Sequence, residues 1–168
     1  MAGRSDLLPH PSNALPQRVR GLLLEWTLSE DADERDRLWL AAMKAADAIL
    51  SRTAPVGWAW ALFPLCPDER SLSISYAADC MEALAQMGAA ASGPFLGRAA
   101  HAAHVLKSRQ LPEGCWQEWW DARTGEPIGD ESCAMPVLTL FSRLDQLLQS
   151  TEFSGSARLA REWTLREG

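Results

Sequence analysis

The stretch Trp116-Gln117-Glu118-Trp119-Trp120-Asp121-Ala122-Arg123 packs three indoles, two carboxylates and a guanidinium into eight residues. Indole faces cover apolar ligand surface while their N–H groups donate hydrogen bonds. A carboxylate beside them can take a proton or hold a ligand hydroxyl. The plainer role for Glu118 is a loop carboxylate that caps a helix or pairs with Arg123. A second aromatic group, Trp58, Trp60 and Phe63, lies earlier in the chain. His101 and His104, three residues apart, could bind a metal with Asp79, Cys80 or Cys115. No second ligand pair occurs at matching spacing, so the two read as ordinary helix residues and no metal or other cofactor is expected. Cys66, Cys80, Cys115 and Cys133 form no C-x-x-C pair and read as reduced thiols. No Ser-His-Asp order, Gly-rich phosphate loop or nucleophile elbow is present.

The elements that must position these groups show a repeat. Ile49 to Gly57 falls on Leu106 to Gly114 at a shift of 57 residues, matching Ser51, Arg52, Pro55 and Gly57 to Ser108, Arg109, Pro112 and Gly114. The chain, at 168 residues, is just short of three such units. Each unit reads as a helix, a connector, a second helix and a Pro-Gly loop. Apolar residues at helical spacing predict helices over about Leu15 to Leu28, Asp33 to Arg52, Ser73 to Met87, Pro94 to Leu106, Pro136 to Gln149 and Gly155 to Arg166. Asp31-x-x-Glu34 resembles a capping box, and Gly88 is the expected cap of the third helix. Arg52, Arg109 and Arg166 suit helix C-termini. No period-2 alternation calls for strands. The long connections, about Thr53 to Leu72 and Leu111 to Met135, both follow the second helix of a unit, so stacked hairpins would bring them to one rim.

The chain has 47% hydrophobic and 23% charged residues, as a folded domain does. Eight Trp exceed what a core of this size needs. A net charge of -6 argues against nucleic acid and anionic membranes as partners. Met1 to Asn13, expected to be irregular, has no apolar signal region, and Lys44 and Asp47 interrupt the apolar stretches. A cytoplasmic single domain spanning residues 1–168 is the expectation.

Trp116-Gln117-Glu118-Trp119-Trp120-Asp121-Ala122-Arg123-Thr124-Gly125-Glu126-Pro127-Ile128-Gly129 resembles a late loop of the six-hairpin glycoside hydrolases, a group that includes the neutral invertases. That resemblance covers about a tenth of the chain. It implies an α/α toroid in which Glu118 is the general base. Trp116, Trp119, Trp120, Trp58 and Trp60 would stack on sugar, and Asp121 and Arg123 would position hydroxyls. Asp68 and Glu69 are candidates by position for the second carboxylate such chemistry needs. Gln110-Leu111-Pro112-Glu113-Gly114-Cys115-Trp116 resembles the Gln-x-x-x-Gly-x-Trp repeat of triterpene cyclases, relatives in architecture of the protein prenyltransferases. In that repeat Gln caps a helix end and Trp packs in the loop. That motif is structural and bears on the fold more than on the substrate, and an isoprenoid is the other small-molecule ligand that the family resemblance suggests.

Together these readings give an all-α chain of three tandem helical hairpins, half of an α/α toroid, with carbohydrate activity or carbohydrate binding as the leading function. A non-catalytic helical-repeat interaction module and an isoprenoid-binding domain are the alternatives. Half a toroid leaves apolar helix faces open, as at Leu22-Leu23-Leu24. A homodimer, or membership of a larger toroid enzyme, is therefore expected.

Overall fold

The computed structural model describes residues 14–56, 59–66, 70–91 and 93–167, without the side chains of 59–62. Trp58, Asp68, Glu69, the Trp60 side chain and the N-terminal segment 1–13 lie outside the described residues. Among the described residues six helices dominate: α1 Leu15–Leu28, α2 Ala32–Leu50, α3 Ile74–Ala90, α4 Phe95–Ser108, α5 Met135–Leu148 and α6 Ser154–Glu167. Each follows from an apolar stripe at helical spacing, such as Val137, Leu140, Phe141 and Leu144 in α5, all buried. Asp31 Oδ1 accepts the Glu34 N–H at 2.8 Å and starts α2. Consecutive helices pack as the pairs α1–α2, α3–α4 and α5–α6, and α3 also packs on α1 and α5.

The chain is nevertheless not all-α, and no toroid is shown. Both long connections fold into short antiparallel pairs. In the first, β1 Thr53–Val56 pairs with β2 Ala59–Pro64. Its last residues, β3 Ser71–Ser73, pair with β5 Trp119–Asp121 from the second connection. There β4 Trp116–Gln117 pairs with β6 Ser132–Cys133. The physical reason is backbone satisfaction. Leu72, Ser73, Trp116 and Glu118 are buried, so their amides need partners that water cannot supply. The two connections therefore meet, by hydrogen bonds between strands.

The 57-residue spacing also fails as a structural repeat. From Leu15 to Ile74 and from Ile74 to Met135, the first helices of the units start 59 and 61 residues apart. Gly88 does not end α3, which continues to Ala90. It lies where α4 crosses closest: a Cβ there would come within 2.5 Å of the Leu96 backbone nitrogen. Among the described residues no helix is long and apolar enough to cross a membrane.

Candidate functional site

Residues 116–121 form one extended segment that binds β6 on one half and β3 on the other. Alternation along it sends Trp116, Glu118 and, beyond it, Ala122 into the interior. Trp116 is buried against Phe141, edge to face at 5.7 Å, and its Nε1 donates to Leu106 O at 2.7 Å. It fills the space between α4, α5 and the loop, so it is core and not a ligand platform.

Glu118 is 8% exposed, and its carboxylate lies at the N-terminus of α3. Oε1 accepts the Ser73 hydroxyl at 2.5 Å and the Ser75 N–H at 3.4 Å, while Oε2 accepts the Ser75 hydroxyl at 2.6 Å. The Glu118 carbonyl accepts the Ile74 N–H at 2.9 Å. Ser73, the N-cap, accepts the Tyr76 N–H at 3.0 Å. A helix start leaves its first amides without intrahelical partners. Here Ile74 and Ser75 donate to Glu118, and Tyr76 donates to Ser73. Glu118 thus caps α3 from a distant strand, taking the amides of its first two residues, Ile74 and Ser75. Its charge also complements the helix dipole.

Cys133, on β6, lies against the same carboxylate. Burial raises its thiol pKa, as do the charge of Glu118 and the hydrogen bond to it, with the Ser75 hydroxyl acting weakly the other way. These surroundings disfavour the thiolate, the form a nucleophilic cysteine needs. Cys80 is pushed up to about 12, chiefly by burial, which disfavours its thiolate in the same way.

The remaining predicted residues take structural partners. Trp119 Nε1 donates to Glu131 Oε2 at 2.7 Å, and Trp120 Nε1 to Gln117 O at 2.9 Å. Asp121 Oδ1 accepts the Arg123 and Thr124 N–H groups at 2.9 and 2.8 Å and so shapes the turn that follows β5. These bonds, led by that from Thr124, lower its pKa. Arg123 is exposed, on the solvent side of that turn. Gln110 Nε2 donates to Gly114 O and Ser156 O at 3.0 and 2.9 Å, holding the second connection to α6. Among the described residues no group of three or more His, Cys, Asp or Glu side chains could hold a metal.

Sequence reasoning passed over a second polar centre. Glu82, 3% exposed in mid-α3, accepts from Arg20 of α1 at 2.7 Å, Gln86 at 2.6 Å and Arg143 of α5 at 3.0 Å. Arg20 also pairs with Asp79, to which Gln17 donates. The available signal was one carboxylate within the apolar run Met81 to Ala85. Comparison with protein-family models, curated proteins and solved structures gives no match to this chain.

Proposed function

We propose that the chain is a non-catalytic interaction module that presents outward faces of its first helical hairpin to a protein partner. What carries this reading is a group of large apolar side chains left in solvent on this hairpin, although Leu165 of α6 and Met135 and Leu148 of α5 are exposed as well. Leu24 and Leu28 of α1 are 61% and 72% exposed, and Leu40 of α2 is 59% exposed. Leu24 and Leu40 each line a surface groove, the first between α1 and α3, the second along α1 and α2. Exposed leucines that line concave surface mark docking more than scattered ones do.

The carbohydrate reading loses support on two counts. It needs a carboxylate free to activate water, and that of Glu118 is held by two hydroxyls and an amide at the start of α3. It also rested on a strand-free rim of stacked hairpins, and both connections contain strands. The isoprenoid reading needed a toroid lumen and falls with the toroid.

The test is a disaccharide hydrolysis screen of the wild type and Glu118→Gln, with circular dichroism to confirm folding. No sugar release by either protein is the expected result. Release by the wild type that a folded Glu118→Gln variant loses would overturn the reading.

A further inference from the structure

We propose that the exposed stripe of α2 docks on the same stripe of a second copy of this chain, antiparallel about a two-fold axis at Leu40. The inference deepens the interaction-module reading and rests on it, because it names the partner of that hairpin.

α2 buries Ala42, Ala45, Ala46 and Ile49. Its outward side carries Asp33, Asp36, Leu40, Lys44 and Asp47, all exposed and spaced three or four apart, which puts them in one line along the helix. The middle of this charged line is a leucine 59% open to solvent. Asp36 and Lys44 stand four residues to either side of it. In an antiparallel contact centred on Leu40, each residue faces the one equally far on the other side. Asp36 then meets Lys44 of the second copy, and Lys44 meets its Asp36, so the contact contains the pair twice. A parallel contact would set Lys44 on Lys44 and Asp36 on Asp36. Among the described residues neither Asp36 nor Lys44 is in an ion pair within its own chain.

The surface beside Leu40 fits the same arrangement. A groove of about 460 Å³ runs along α1 and α2, floored by Leu15, Ala41, Ala45 and Ala48 and edged by Arg18, Arg37 and Lys44. Small residues let a second helix come close. Three cations on a chain of net charge -6 favour an acidic visitor. The N-terminal turn of the second copy's α2 brings Asp33 and Asp36 over this groove. Asp33 also comes opposite Asp47, about 10 Å along the helix from the axis, where crossing helices diverge, and Arg18 and Lys44 offset that repulsion.

Sedimentation velocity on the full chain across a micromolar concentration series tests the proposal. The wild type is expected to be a dimer. Lys44→Glu alone and Asp36→Lys alone each place like charges at two points of the contact and weaken the dimer roughly tenfold. The double variant, Asp36→Lys with Lys44→Glu, restores the pairs in reverse and returns affinity to within about threefold of wild type. Asp36 and Lys44 are eight residues apart in one helix, too far to rescue each other within a chain. Circular dichroism of all three variants checks that α2 still forms. A monomeric wild type, a dimer indifferent to both single changes, or a double variant no better than the singles would each overturn the proposal. None of these outcomes touches the sugar-release screen, which tests the non-catalytic part of the interaction-module reading separately.

Discussion

Glu82 and Glu118 are two buried carboxylates with opposite kinds of neighbour, and each makes a different prediction. Burial alone would raise the pKa of Glu82, but hydrogen bonds from Gln86, Arg20 and Arg143 outweigh it and leave the pKa below the ordinary 4.5. A carboxyl whose folded pKa is depressed adds stability above its unfolded pKa, and that stability disappears as pH falls through the folded one. Glu82→Gln should therefore cost about 2–3 kcal/mol at neutral pH, less than a fully buried pair because Arg20 keeps Asp79 and Arg143 is partly exposed. The gap to wild type should narrow in acid below about 4.5. Urea unfolding of both proteins across pH checks this, and a gap constant down to strong acid would remove the ionic account. Glu118 is held by hydroxyls and an amide instead. An amide side chain can keep part of that bonding, so Glu118→Gln should cost about 1 kcal/mol. Glu118→Ala leaves the Ser75 amide and hydroxyl unpaired and should cost about 2–3 kcal/mol. Equal losses would mean that the amide keeps none of the bonding, and losses near zero in both would mean that the cap contributes little.

At the scale of elements, legibility divided by period. The helices could be read because their core faces are runs of Leu, Ile, Val and Ala at 3.6 spacing, as in Val137, Leu140, Phe141 and Leu144. The strands could not, for two reasons. β2 is Ala-Trp-Ala-Leu-Phe-Pro, apolar throughout, so it shows no alternation. Along residues 116–122 the inward face is Trp116, Glu118 and Ala122, with Trp120 half-buried, and a glutamate on the buried face reads as a break in the pattern. What a capping role for Glu118 required, the approach of β4 and β5 to Ser73 and Ser75, is a long-range contact that local spacing does not encode. Gly114 marks how closely the second connection docks on α6. Its φ is +104°, and a Cβ there would fall 2.3 Å from Leu159 O, a backbone atom that cannot rotate away. Gly114→Ala should cost about 2–4 kcal/mol, from the left-handed backbone and the clash together. Gly97, exposed in α4, has nothing within 4 Å of where a Cβ would sit, and as Ala it should gain about 0.5–1 kcal/mol. Thermal melts of the two variants must move in opposite directions for this account of the contact to stand.

At the scale of the whole molecule, it matters whether the three hairpins unfold together. Glu82 of α3 binds Arg20 of α1 and Arg143 of α5, so one carboxylate touches all three pairs. Phe141 of α5 joins the second and third of these by packing: it meets Trp116 of β4 edge to face and stacks on Phe153, just before α6, at 4.9 Å. Trp116 in turn hydrogen-bonds Leu106 of α4. No hairpin can leave without exposing part of another's core. The expectation is a single cooperative transition, with calorimetric and van't Hoff enthalpies equal. Phe141→Ala removes a fully buried ring from this junction and should cost about 3–5 kcal/mol. Its melting temperature should drop by roughly 10 °C, at 2–4 °C per kcal/mol for a chain of this length. The transition should stay single, because the ring is shared between units. If calorimetry of the variant instead showed an early transition for α5 and α6 and an unchanged later one, the third hairpin would be a separate unit and the shared core would not be what holds the molecule together.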